Sequence, residues 1–270
     1  MKKTTLVPVA ALFLFALLPF PADACTVFRL KADDGSVVVA RSMEFAVDLK
    51  YELIVVPRNK SYTSPAPDGS AGLSWKTGYG YAGVATADMD YGITDGMNEK
   101  GLAIGLLWFE SDMKYQDVAP GENARALAQA MVGDWVLGNF AAVEDVKREI
   151  QKLKVFKYTD PATKMAPTLH FIVYDANGGS IVIEYENGVC NVYDNPLGIM
   201  TNAPRFPWQV TNLRQYVGMR SDMPEPVKVS GLTLTPTGHG AGMLGLPGDL
   251  TPPSRFVRLA VLTRFADAQP

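Results

Sequence analysis

Histidine is nearly missing from this chain: its 270 residues include only His170 and His239. With so few imidazoles, and no Cys/His/Asp grouping at zinc or calcium spacing, no metal is expected and no cofactor is implied. His170 lies in the apolar stretch TLHFIVYDANGG and reads as a packed strand residue. His239 sits between glycines in TGHGAG and reads as a loop residue. Cysteine is equally scarce, at Cys25 and Cys190, so at most one intramolecular bridge can form. A Cys–His nucleophile pair stays open as an alternative, although the local signatures of Cys–His proteases are absent. Basic runs are missing too. A formal charge of −3 and a pI near 5.5 argue against nucleic acid as a partner. No internal repeat or long low-complexity linker breaks the chain.

What is present begins at the N-terminus. Lys2 and Lys3 precede an apolar stretch from Leu6 to Phe20, and Ala22-Asp23-Ala24 then supplies small residues at −3 and −1 of a cleavage site. The apolar stretch is short for a membrane span. Residues 1–24 therefore read as a signal peptide, and 25–270 as one domain able to bury a sizeable core. The mature protein is expected in the periplasm or secreted, starting at Cys25, with no stable membrane insertion. A lipoprotein is the alternative, but that processing prefers a larger aliphatic residue where Ala22 stands. Export also allows a Cys25–Cys190 disulfide. A structural thiol at Cys190, within the strand–turn–strand pattern IVIEYENGVCNVY, fits at least as well.

An N-terminal cysteine carries a nucleophile and a base on one residue. An α-amine titrates near ~7.7–8.0 and a free thiol near ~8.5, so the amine can take the thiol proton at little cost. No histidine is needed for this chemistry. Leader removal would then also be activation.

Hydrophobic periodicity gives the order of elements. Residues 25–31 and 36–41 read as strands around the turn ADDG, and YELIVV (51–56) as a third ended by Pro57. Residues 58–71, polar with Pro and Gly, read as a surface loop. YGYAGVAT, YGITDGMN and GLAIGLLWF follow as strands, the last two hinged on NEKG. The stretch GENARALAQAMVGDWVLGNF has helical spacing, with Leu127, Met131, Val132 and Trp135 on one side. AVEDVKREIQKL is a second amphipathic helix. Strands return at 168–175, 180–186 and 198–202, and helices at FPWQVTNLRQYV and PSRFVRLAVLTRFA. Blocks of strands and helices in this order indicate an α+β protein with antiparallel sheet and helices outside.

Five blocks in order carry a resemblance: Cys25 itself, ARSMEF, DGMNEKGLAIGLLWF, NPLGIMTNAPRFPWQ and LPGDLTPPSRFVR. Together they resemble the choloylglycine hydrolase family, the bile salt hydrolases and penicillin V acylases, which are N-terminal-nucleophile (Ntn) hydrolases. The resemblance runs from Cys25 to the C-terminus. It implies a four-layer αββα sandwich of two stacked antiparallel sheets and hydrolysis of a linear amide.

Matched by motif, Cys25 is the nucleophile and its amine the base. Arg41 takes the arginine position beside the thiol, and Arg255 the second active-site arginine. Glu44 stands where the family usually has aspartate holding the amine. Asn202 in TNAP is the side-chain donor of the oxyanion hole, and Trp108 the backbone donor and a pocket wall. Bile salt hydrolases typically carry asparagine at the Trp108 position, whereas penicillin acylases tend to carry an aromatic. Asp95 and Asn98 read as turn and hairpin residues.

The expected activity is thus release of an acyl group from a small-molecule amide, penicillin V acylase-like and extending to N-acyl homoserine lactones. Bile salt hydrolysis and a non-catalytic binding relative are the alternatives. A homo-oligomer is left open. Two departures stand out: Glu44 for aspartate, and an ending at RFADAQP where family members usually continue through further strands. On that ground the domain is expected to be incomplete at its C-terminus.

Overall fold

The turn at Asp33-Asp34-Gly35 sets the first hairpin. Gly35 adopts φ +86°, a conformation open to glycine, and Asp34 Oδ1 accepts the Ser36 amide at 2.8 Å. In the computed structural model, described over residues 25–44, 50–86, 92–110, 113–161 and 164–266, this turn joins β1 (Cys25–Lys31) to β2 (Val37–Met43). Their register is unbroken from Cys25 opposite Met43 to Lys31 opposite Val37. Residues 1–24, expected from the sequence to be a signal peptide, lie outside the described residues.

The chain continues through β3 (Tyr51–Val56), β4 (Ser61–Pro65), β5 (Ala71–Lys76), β6 (Tyr81–Thr86), β7 (Ile93–Asn98) and β8 (Ala103–Trp108). After β9 (Ala126–Ala128) come helices α1 (Val132–Asn139) and α2 (Val143–Ile150), then β10 (Lys154–Phe156). Next are β11 (Leu169–Tyr174), β12 (Ser180–Glu186), β13 (Val189–Asp194) and β14 (Ile199–Met200). Helix α3 (Phe206–Leu213), the hairpin β15 (Val227–Val229) and β16 (Leu232–Leu234), and helix α4 (Pro252–Phe265) complete the described order.

Among the described residues, β13-β12-β11-β8-β7-β6-β3 form one antiparallel sheet and β14-β1-β2 a smaller one. Alternation along β11 explains how they stack. Phe171 and Val173 enter a core with Ile104, Val132, Val136 and Val146, beneath α1 and α2. Ile172 and Tyr174 point the other way, into a core with Val27, Ile199, Phe206 and Phe256. Central strands are therefore apolar on both sides, which is why they read as continuous hydrophobic runs. The layers run α1/α2, large sheet, small sheet, α3/α4: the αββα order expected from the sequence.

The helices carry ordinary signals. In α2, Val143, Val146 and Ile150 are buried at helical spacing, with Glu144 and Asp145 in the first turn and Lys147 and Arg148 in the last. Prolines open α4 at Pro252 and Pro253, where a missing N–H costs nothing.

Two expectations are corrected. Residues 121–140 do not form one helix: Ala126–Ala128 pair in parallel with Lys154–Phe156, and regular α-helix starts only at Val132. Ala126, Leu127 and Ala128 are all fully buried, and Ser64 Oγ accepts the Ala128 amide at 2.9 Å. A segment enclosed on every side has no polar face, so one-sided periodicity could not separate helix from strand. The 58–71 region is not a surface loop but largely hairpin. Tyr62 is buried against Trp75 (ring centroids 5.2 Å) and its hydroxyl meets that of Tyr81 at 2.9 Å. Only the tip around Asp68-Gly69 matches the turn composition. No helix among the described residues is long and apolar enough to cross a membrane.

The contact of α1 with the large sheet yields a test. A Cβ on Gly133 would lie 2.6 Å from the Ile93 carbonyl oxygen. In an open helix Gly→Ala adds up to ~1 kcal/mol of stability. Here Gly133→Ala should destabilise by about 1–3 kcal/mol through overpacking, read as a lower midpoint in urea unfolding.

Candidate active site

Cys25 opens β1 at the edge of the ladder, 5% exposed, with its backbone nitrogen 3.0 Å from Asn202 Oδ1. Asn202 follows the two-residue strand β14, which pairs with β1 and so delivers the TNAP segment beside the cysteine. Arg41 lies two residues before the end of β2, on the same sheet face as Cys25. Its guanidinium reaches Cys25 Sγ at 3.6 Å through Nη2. The remaining contacts hold it there: Nη2 donates to Leu106 O (2.6 Å), and Nη1 to Thr94 O (2.7 Å) and Asp95 Oδ2 (3.1 Å).

Asp95 is therefore more than the turn residue expected. It sits in β7, and its carboxylate is the ion-pair partner of Arg41. Burial raises its pKa, against the opposing pull of Arg41. The hydrophobic pattern could not reveal this, because the pairing spans 54 residues and two sheets. Asn98 does behave as a hairpin residue. Its Oδ1 accepts the amides of Lys100 and Leu102, and its Nδ2 donates to Leu137 O and Phe140 O.

Asn202 is the junction of the site. Its Oδ1 accepts from the Cys25 nitrogen and from Arg255 Nη2 (2.8 Å), while Nδ2 donates to Trp108 O (2.8 Å). This pattern fixes the amide orientation, since a flipped amide would set NH₂ against two donors. Trp108 ends β8 opposite Leu169. The Phe109 amide bonds to Thr168 O, so ladder alternation turns the Trp108 N–H and C=O away from β11, to the side where Asn202 stands.

Arg255, in the first turns of α4, reaches back across the small sheet. It donates to Cys25 O at 2.5 Å, to Thr26 Oγ1, and through Nε to Leu250 O at 3.0 Å. Burial lowers its pKa, while the negative charge of Glu44 acts the other way. Glu44 itself is exposed, one residue past the last ladder pair of β2. Among the described residues the acceptor of the Cys25 nitrogen is Asn202, and Glu44 contributes charge beside Arg255 rather than that bond.

Four of these residues border one pocket. Cys25, Arg41 and Glu44 line it together with Tyr51, Trp108 and Tyr158, and its remaining wall is largely apolar. The sequence thus brought Cys25, Arg41, Glu44, Trp108, Asn202 and Arg255 to one place. Both cysteines are free, so the disulfide alternative is not realised. His170 is a packed strand residue, as expected: 1% exposed and stacked on Phe109 at 4.5 Å between ring centroids.

The two thiols differ in a way that can be measured. Burial pushes Cys190 up to about 11, next to Tyr185, whereas Cys25 faces the Arg41 cation. At pH 8 only ~10⁻³ of a thiol with that pKa is thiolate. Iodoacetamide should modify Cys25 well before Cys190, as read by peptide mass spectrometry. Asp95→Asn, which loosens Arg41, should slow Cys25 labelling and leave Cys190 unchanged.

Comparison with known proteins adds an independent line. The model for linear amide C–N hydrolases, choloylglycine hydrolase family, matches residues 25–268. The bile salt hydrolase/transferase of Clostridium perfringens is 36% identical over 243 residues, covering 88% of this chain and 71% of that protein. The penicillin V acylase of Pectobacterium atrosepticum is 32% identical over 180 residues, 64% of this chain and 47% of that protein. A crystal structure of a variant conjugated bile acid hydrolase from Clostridium perfringens superposes with a TM-score of 0.79 at 34% identity, over 89% of this chain and 72% of that one. With this αββα sandwich and a family match spanning nearly all of the described residues, the chain belongs to the linear amide C–N hydrolases of the choloylglycine hydrolase family.

Proposed function

We propose that this is an exported cysteine Ntn hydrolase, activated when the leader is cut before Cys25. The observation that carries the reading is the placement of one residue: Cys25 has its nitrogen on Asn202 and its sulfur beside Arg41. After cleavage that nitrogen is a free α-amine. In its neutral form it takes the thiol proton, and Arg41 stabilises the negative charge on sulfur. The sulfur attacks the amide carbonyl carbon, and the C–O π electrons move to oxygen.

Two donors face that oxyanion: the Trp108 N–H and the second hydrogen of Asn202 Nδ2, the first being held by Trp108 O. Collapse expels the amine, which receives the proton from the Cys25 ammonium and leaves a thioester. Water, deprotonated by the same amine, then attacks the thioester, and the released sulfur recovers its proton. Arg255 orients the cysteine by binding Cys25 O and Asn202 Oδ1. Glu44 offsets the arginine charge near the amine. In this reading residues 1–24 are the signal peptide, 25–270 the catalytic domain, and the compartment is periplasmic or extracellular.

For the acyl group, the aromatic and apolar wall around Trp108, Tyr51 and Tyr158 supports an aryloxyacetyl or fatty acyl chain, as in penicillin V or N-acyl homoserine lactones. A second reading is favoured by the comparisons: the bile salt hydrolase/transferase match is longer and higher in identity than the penicillin V acylase match, which supports a conjugated steroid acid.

Asn202→Ala should lower kcat by on the order of 10²–10³-fold, with a smaller change in KM. Trp108→Asn keeps the backbone N–H but opens the wall, so it should shift preference from phenoxyacetyl amides towards glycine-conjugated steroid acids more than it slows chemistry. Steady-state kinetics on both substrates check these outcomes. Full kcat in Asn202→Ala, with collapse on both substrates in Trp108→Asn, would overturn the assignments.

A further inference from the structure

His170 and Glu184 face each other across β11 and β12 and are 1% and 2% exposed. A fully buried polar pair this far from solvent is costly unless each atom is satisfied. Their bonds all lead to one short segment. His170 Nε2 lies 2.9 Å from Thr201 O, and a carbonyl only accepts, so Nε2 carries a proton and donates. His170 Nδ1 meets Glu184 Oε1 at 3.1 Å. The Glu184 carboxylate in turn accepts the Phe206 amide, at 2.9 Å on Oε1 and 3.1 Å on Oε2. Residues 201 and 206 are the two ends of the turn that carries Asn202. Gln209 reaches the middle of this turn, donating to Asn202 O and Pro204 O.

We propose that His170 and Glu184 are positioning residues: they clamp both ends of the 201–206 turn and so set the Asn202 amide for the chemical step. The proposal rests on the reading of Asn202 as an oxyanion donor. Asn202 Nδ2 already gives one hydrogen to Trp108 O, so the direction of the other is fixed by the backbone to which the side chain is attached. Moving Thr201 O moves that backbone directly, because it belongs to the peptide unit leading into Asn202. Misplacement of about 1 Å in such a group can cost on the order of 10²-fold in rate. Neither residue touches the thiol or lines the pocket, so substrate binding should not depend on them.

Two substitutions separate the bonds of His170. His170→Asn places an amide where Nδ1 was, facing Glu184, but falls short of Thr201 O. His170→Gln places an amide where Nε2 was and keeps a donor for Thr201 O. The clamp predicts that His170→Asn loses kcat by on the order of 10–10²-fold at little change in KM, whereas His170→Gln retains most of it. In an Asn202→Ala background, His170→Asn should cause no further loss, because its effect passes through the missing amide. Glu184→Gln keeps one oxygen for the Phe206 amide and should lose less kcat than Glu184→Ala, which removes both.

Equal kcat losses in the asparagine and glutamine variants, or a loss that adds to that of Asn202→Ala, overturn the clamp while leaving Asn202 in its role. Full kcat in Asn202→Ala alone overturns the reading of Asn202, and the clamp with it. If His170→Asn does not fold, the unaltered protein decides. Phenylacetaldehyde forms a hemithioacetal by addition of the Cys25 thiol to its carbonyl, placing an oxygen in the same position as the oxyanion. The His170 Nε2–H resonance should shift on its formation, and an unchanged resonance overturns the proposal.

Discussion

The side-chain amide of Asn202 is the constraint on which the site depends. Through three hydrogen bonds it joins the start of β1, the end of β8 and the first turns of α4. These elements come from far apart in the chain and from three of the four layers. An amide suits this position because it is both acceptor and donor at fixed separation. A carboxylate would meet the Trp108 carbonyl oxygen with like charge, and an apolar residue would strand two donors and an acceptor in a buried place.

Around that junction the charges are arranged by layer. Arg41 enters from the small sheet and is held by Asp95 and two carbonyls of the large one, so its guanidinium is already desolvated and oriented at the thiol. Arg255 enters from the opposite side and reads the cysteine's carbonyl. The cysteine is thereby gripped at nitrogen, sulfur and carbonyl oxygen by three different elements. In the proposed mechanism, such preorganisation is what would let a single residue act as nucleophile and base without a separate histidine.

Much of this was legible in the sequence, for identifiable reasons. The first hairpin announces itself by ADDG between β-branched runs, and that hairpin alone brings Arg41 alongside Cys25. The central strands and α2 follow from strong period-two and period-3.6 patterns. What failed were segments where burial is uniform or composition misleads: Ala126–Ala128, enclosed on all sides, and the Tyr62 hairpin, whose Pro, Gly and Ser mimic a loop. In the candidate site, the blocks named six residues that the fold places near one another; their roles belong to the proposed mechanism. Asp95 was not, because a carboxylate in a hairpin motif gives no local sign of a partner on another sheet. The His170–Glu184 pair was hidden likewise: each looks like an isolated polar residue in an apolar strand until register sets them opposite.

The central claim is that one residue supplies both sulfur and amine. It is tested most directly by comparing kcat of the protein beginning at Cys25 with the same chain carrying one alanine ahead of it, on a phenoxyacetyl amide and a glycine-conjugated steroid acid. The account predicts that the extra residue, which turns the amine into an amide, removes turnover on whichever substrate the free form cleaves. Full turnover with the alanine still in place would contradict it.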